Sequence, residues 1–322
     1  MSSSRGTDFY FACAVVVIRI VGAAGNGLIL YAMIASKQHK KHFLIFNQNV
    51  FDLSSCLLLV IIYTLKLCNI HLTGMLGYWM CMLLLSENLL WCSYTGSVIN
   101  LMIITVERYL VVVHRTWSNR NLRNWMKISA AVFAWIGAIA HNMAVAFSTS
   151  AVVDGVCYGY VMWKNRVAEV AHAIWTFVSF YFIVVCIFCF CYGRILAVVR
   201  HQASVMAVHD AASRAQVPQQ MQTSVIKTMI LVSAFFVVTW TPNDVYYLTV
   251  NVKSNLTLLD GGYYATMFIS CMYTCANPFI YATKFDPVRR VLVRLIPCKK
   301  QSADGSIIMV ATATHRTTEN IN

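Results

Sequence analysis

The sequence predicts an all-α membrane protein: a bundle of seven transmembrane helices followed by a short amphipathic helix. Three observations predict it. Of 322 residues, 59% are hydrophobic and 11% charged, a balance outside the range of ordinary soluble domains. Seven apolar runs are each long enough, at about 1.5 Å per residue, to cross a ~30 Å hydrocarbon core. Lys and Arg recur between those runs on alternate sides, as the positive-inside rule requires.

The runs follow in order, with no internal repeats. Residues 1–8 form a short outer N-terminus, and the first span is Phe9–Ala35, too long for the core of a cleaved leader. A basic loop with Lys37, Lys40 and Lys41 leads to the second span, Phe43–Cys68, which contains Asp52. After a neutral loop, Asn69–Tyr78, comes the stretch 79–114. As one helix it is roughly 50 Å long, so it tilts or projects into water. The basic loop Arg115–Lys127 precedes span four, Ile128–Phe147. The loop Ser148–Ala168 carries Asp154-Gly155, a hairpin signal. Span five is Glu169–Val199, residues 200–220 read as a polar loop, and span six is Thr223–Val250 with Pro242 inside it. Span seven, Gly262–Thr283, completes a bundle over 9–283. Residues 284–298 read as a basic membrane-surface helix, and 299–322 as a disordered Ser/Thr-rich tail.

Orientation follows from charge. Only Arg5, Lys66, Lys164, Arg166 and Lys253 fall on the side of the N-terminus, which is therefore outside, with the C-terminus inside. Asn255-Leu-Thr257, a glycosylation sequon, lies in an outer loop. The net charge of +13 is spread over the inner loops and tail, so nucleic acid is not the expected partner; the lipid bilayer is.

Polar residues inside spans are costly and need partners. Asn26, Asp52, Ser97 and Asn277 lie mid-span, each on a different span or position. Glu107-Arg108-Tyr109 ends span three. In span six Phe236 and Trp240 share a face, and Pro242 kinks the helix half a turn on. Span seven ends Asn277-Pro278-Phe279-Ile280-Tyr281.

On these residues, with Trp135 in span four and Tyr192 with Ile195 in span five, the chain resembles a rhodopsin-like (class A) G-protein-coupled receptor over about residues 9–298. The segment Trp240-Thr-Pro242-Asn243 and the short third inner loop look most like galanin, allatostatin or somatostatin-type peptide receptors. The resemblance implies a receptor that binds a ligand from outside and activates a heterotrimeric G protein at the plasma membrane. It assigns coupling and switching to Glu107, Arg108, Tyr109, Tyr192, Trp240, Pro242, Asn277, Pro278 and Tyr281. It implies that Asp52, Ser97 and Asn277 could hold an allosteric sodium ion, that Cys298 is palmitoylated, and that the tail recruits arrestin after phosphorylation at Ser302, Ser306, Thr312, Thr314, Thr317 and Thr318. A disulfide between Cys81 and Cys157 is the expected pairing, each the only cysteine of its outer segment.

The chain departs from the family pattern in several places. Cys81 stands two residues earlier than usual relative to Arg108, and Val184 replaces a common proline. Tyr273 stands where an Asn often lines the sodium site. Gln222 replaces a common acid at the foot of span six, so a looser inactive lock is expected, without a bridge from Arg108 to that helix.

For the ligand, Glu87, Leu90, Trp91 and Tyr94 line one stripe by their spacing of three and four. Asn243, Asp244, Tyr247 and Tyr263 join them, with Met267 below. Leu90 replaces the aspartate of amine receptors, and Cys271 replaces the retinal-binding lysine of opsins. Acids in an aromatic cavity suit a cationic group, which favours a peptide with Arg, Lys or a free amine; a small amine held by Asp244 is the alternative. Internal pairing of Glu87 or Asp244 with Arg19, Lys66 or Lys164 is the competing use of the same acids. A transporter would show repeats and broken helices in matching halves. No catalytic spacing of His, Ser or acids supports an enzyme.

Overall fold

The computed structural model describes residues 2–68, 70–160, 162–208, 216–253 and 261–295. The sequon at Asn255, Cys298 and the tail's serines and threonines lie outside the described residues. The helices are α1 (Ser2–Ala35), α2 (Phe43–Leu67), α3 (Gly74–Val113) and α4 (Asn124–Thr149). Next come α5, built from Arg166–Thr176, a π-helical segment Phe177–Phe182 and Ile183–Val208, then α6 (Gln216–Val252), α7 (Gly261–Lys284) and α8 (Asp286–Leu295). Short helices Gln38–Lys41 and Arg115–Asn121 lie in the first and second loops at the Arg108 end.

Among the described residues, α1 to α6 each contain a stretch long and apolar enough to cross a membrane. α7 is more polar because its inward face carries Ser270, Tyr273, Thr274, Asn277 and Tyr281, all buried. The bundle is apolar outside, and the polar residues of its spans are turned into an otherwise apolar core. Val17, Ile20, Val21, Leu28 and Ile34 of α1 are exposed, while Arg19 and Asn26 are fully buried. That is the arrangement a lipid solvent selects, since backbone and side-chain polar groups must find partners inside. The helices close a ring: α1 packs on α2 and α7, α6 on α7, and α3 touches α2, α4, α5 and α6.

The largest boundary differences from the sequence reading are four. α5 runs to Val208 and α6 starts at Gln216, where a polar loop over 200–220 was expected. Hydropathy marks where the bilayer ends, whereas the Ala, Gln and Arg of this stretch are good helix formers in water. α1 begins at Ser2, ahead of its apolar run. The third span begins at Gly74 and is not one continuous helix. Helix Gly74–Met80 passes into a π-helical segment Cys81–Leu85, the chain breaks at Ser86–Glu87, and helix Asn88–Val113 follows. Glu87 sits in the left-handed region at φ 62°. The π turn, closed by Ser86 N to Cys81 O at 2.9 Å, and the break at Glu87 absorb the two-residue surplus between Cys81 and Arg108.

The expected hairpin forms: strand β1 (Ala151–Val153) pairs antiparallel with β2 (Val156–Tyr158). Asp154 and Gly155 both have positive φ, 51° and 74°, as a two-residue turn of this type requires. Gly155 is required twice over, since an added Cβ would fall 2.0 Å from the His71 ring. Cys81 and Cys157 form the predicted disulfide, which ties the hairpin to the start of α3.

Candidate ligand pocket and activation switch

At the disulfide end, helices α3, α6 and α7 bring most of the predicted pocket together. Leu90 and Tyr94 are buried, and Trp91 is half-buried with its ring edge-on to Tyr94 at 5.8 Å. Tyr94 in turn lies edge-on to Trp240 at 5.2 Å. Asn243 donates to the Met267 sulfur at 3.0 Å, which joins α6 to α7. Tyr247 Oη is 3.5 Å from His172 Nδ1, and Tyr263 is half-buried beside Tyr264.

The two acids separate. Glu87 does not share the helical stripe, because the left-handed break turns it aside, and its Oε1 pairs with Lys66 Nζ at 2.6 Å. Asp244 is half-buried and has no ion-pair partner among the described residues. One acid is therefore neutralised within the protein and the other is available to a cation.

Pro278 explains the role of Asn26. Proline has no N–H, so the Thr274 carbonyl one turn back loses its helical partner. Asn26 Nδ2 supplies it at 3.0 Å and also donates to Gly22 O at 2.9 Å. In a bilayer such a carbonyl has no water to turn to. Gly25 lets α1 come this close: a Cβ there would meet Pro278 Cβ at 3.0 Å.

Asp52, Ser97 and Asn277 converge as expected. Ser97 Oγ donates to Asp52 Oδ1 at 3.2 Å, and Asn277 Nδ2 donates to Asp52 Oδ2 at 2.8 Å. Ser97 also accepts from Gln48 Nε2 at 2.5 Å. Tyr273 is fully buried beside them, its hydroxyl 3.5 Å from Gln48 Nε2. Asn277 Oδ1 has no hydrogen-bond partner among the described residues. These oxygens are the type a hard cation takes. The charge balance does not fit one, because Arg19 of α1 is buried beside this layer and donates to Tyr94, Thr274 and Cys56.

At the other end, Glu107 holds two cations. Arg108 Nε donates to its Oε2 at 2.9 Å, and Lys127 Nζ lies 2.6 Å from its Oε1. The Arg108 contact was expected; Lys127, at the start of α4, was not. Its position as the last residue of a basic loop was the available signal. Tyr109 reaches His114 Nε2 at 3.2 Å, and its ring lies tilted 5.7 Å from that of Phe190. Tyr192 bridges Thr105 and Ser233, both at 2.9 Å, and so links α3, α5 and α6. Tyr281 is fully buried against Phe285, its hydroxyl without a hydrogen-bond partner among the described residues. His42, between α1 and α2, lies edge-on to Phe285 at 5.1 Å. Burial, with Arg108 and Lys41 nearby, lowers its pKa from 6.5 to about 4, so the ring is neutral.

The family model described as "7 transmembrane receptor (rhodopsin family)" matches residues 25–281. The chain is 24% identical to the galanin receptor type 1 of Mus musculus over 297 residues, covering 88% of this chain and 80% of that one. It is 25% identical to the somatostatin receptor type 5 of Rattus norvegicus, covering 84% and 73%, and 23% identical to the C-C chemokine receptor type 8 of Mus musculus, covering 86% and 76%. With that match across the spans, and with the Asn26–Thr274, Asp52–Asn277 and Glu107–Arg108 contacts in place, this chain belongs to the rhodopsin family of seven-transmembrane receptors.

Proposed function

We propose that the protein is a plasma-membrane receptor, N-terminus outside and C-terminus inside, for an extracellular peptide bearing a cationic group. It activates a heterotrimeric G protein through the Arg108 end and is regulated by arrestin through its tail. Membership of a receptor family removes the enzyme and transporter readings. The observation that carries the ligand reading is Asp244, a half-buried acid on α6 one turn from Tyr247 with no ion-pair partner among the described residues, while Glu87 is engaged by Lys66. A desolvated acid of this kind gains most from a ligand ammonium or guanidinium. The galanin and somatostatin receptors are similar over most of this chain, which supports a peptide.

At the coupling end, release of Arg108 from Glu107 would present the guanidinium to the G protein, with the unpartnered Tyr281 hydroxyl as a partner inside the bundle. Trp117, exposed on the helix Arg115–Asn121, offers an apolar contact beside it.

The test is competition binding of a panel of Lys- and Arg-containing peptides and of small amines to Asp244→Asn and Glu87→Gln receptors. A cationic peptide should lose affinity at least tenfold in Asp244→Asn and less than threefold in Glu87→Gln, an expectation that follows from removing an unshared charge. Binding of small amines alone, with the same loss in Asp244→Asn, would replace the peptide reading. Equal affinity for all variants would remove Asp244 from recognition.

A further inference from the structure

We propose that Arg19 is the resident cation of the Asp52 layer, so that a charge borne by the protein, and not a sodium ion, holds this site in the resting receptor.

Arg19 lies on α1, two helical turns outward of Asn26, and is fully buried. Its guanidinium donates to three groups on three other helices: Cys56 on α2 at 3.7 Å, Tyr94 on α3 and Thr274 on α7. Each partner stands one turn from a member of the expected ion site. Cys56 is four residues after Asp52, Tyr94 three before Ser97, and Thr274 three before Asn277. One turn is about 5 Å, so the guanidinium caps the Asp52 layer from its outer side.

Charge settles what that means. The described residues whose charged side chains are buried are Arg19, Asp52 and Glu107. Glu107 has its own cations, Arg108 and Lys127, at the far end of α3. Arg19 and Asp52 are therefore the opposite charges of one buried region, a helical turn apart and without a direct ion pair among the described residues. A sodium ion added there would be an uncompensated charge next to a guanidinium, away from water. Asp52 is already served, with one oxygen accepting from Ser97 and the other from Asn277.

The same arginine reaches the switch. Tyr94, which accepts from Arg19, lies edge-on to Trp240, and Trp240 lies 6.1 Å from the Phe236 ring below it. A shift of α3 or α7 in activation would have to break the Arg19 contacts to Tyr94 or Thr274. Arg19 is thus a positioning residue that sets the resting state and removes its dependence on sodium. This inference stands whether the ligand is a peptide or an amine.

The experiment is thermal unfolding of purified full-length receptor in lipid nanodiscs, with sodium chloride rising as N-methylglucamine chloride falls at constant ionic strength. Wild type should show no sodium-specific change in Tm. Arg19→Gln, which keeps hydrogen-bonding capacity but loses the charge, should gain a saturable sodium-specific rise of roughly 3 °C at tenfold the dissociation constant. Adding Asp52→Asn to Arg19→Gln should abolish that rise. A saturable sodium rise in wild type that Asp52→Asn removes would overturn the proposal. So would an Arg19→Gln receptor that stays silent, since a purely structural staple would lower Tm without creating sodium dependence. If Arg19→Gln does not fold, Arg19→Met and sodium-23 relaxation of the wild-type receptor decide: Asp52-dependent line broadening in wild type would overturn the proposal, and its absence would support it.

Discussion

Replacing Glu107 by Gln should raise ligand-independent G-protein activation. The carboxylate accepts from Arg108 at 2.9 Å and pairs with Lys127 at 2.6 Å, and the three side chains are 6%, 15% and 21% exposed. A charge-assisted hydrogen bond in such a half-dry site is worth about 2 kcal/mol. If that bond exists in the resting state alone, its loss shifts the active-to-resting ratio about 30-fold, enough to take a receptor about 1% active to roughly 20%. Lys127 gives a second, opposite prediction. Its charge shares Glu107 and repels Arg108, so Lys127→Met should deepen the resting state and raise the half-maximal agonist concentration about threefold. On the Glu107→Gln background the added Lys127→Met should have little further effect. The assay is basal and agonist-driven nucleotide exchange in membranes, scaled to surface receptor. Unchanged or lower basal exchange in Glu107→Gln at equal surface density would refute the lock. A rise in basal exchange with Lys127→Met would show that the lysine steadies the lock instead of loading it.

Other expectations follow from single contacts. Asn26→Leu orphans the Thr274 carbonyl beside Pro278 and should destabilise the bundle by about 1–2 kcal/mol, read as a lower Tm and lower surface yield. Gly96→Ala places a methyl group 2.2 Å from the Phe51 ring, which is itself stacked on Trp135 at 4.0 Å, and should cost about 1–3 kcal/mol in the same measurement. His42 should make stability fall in acid. Its pKa in the fold, about 4, is below the unfolded value of 6.5, so the unfolded chain binds more protons between these limits. The contribution is fully present above pH 6.5 and is lost as pH falls towards 4. His42→Gln should flatten that part of a pH–Tm curve, and an unchanged curve would show that the ring is not the titrating group.

Much of this was legible because the membrane imposes strict accounting on backbone and polar side chains. Apolar length and the alternation of Lys and Arg gave the spans, and the pairing of Cys81 with Cys157 followed from their outer segments. What could not be read was local geometry. The two-residue surplus between Cys81 and Arg108 was visible, but not that a π turn and a left-handed Glu87 absorb it. That break moves Glu87 from the pocket stripe to Lys66, a pairing the spacing of three and four could not reveal. The helical extensions to Val208 and from Gln216 were hidden because hydropathy reports bilayer depth and not helicity. Arg19 was legible only as a possible partner for Glu87 or Asp244, whereas its partners are Cys56, Tyr94 and Thr274, on three helices distant in sequence. Lys127 belongs to the same class, a long side chain reaching Glu107 across two helices.

The most direct test of the receptor account is G-protein dissociation, followed by resonance energy transfer in cells expressing the chain, across the same panel of cationic peptides and amines. The account predicts that at least one cationic peptide drives dissociation through the wild type, and that Arg108→Ala abolishes the response while surface density and peptide binding persist. A response that survives in Arg108→Ala, or dissociation driven by amines and by no peptide, would contradict it.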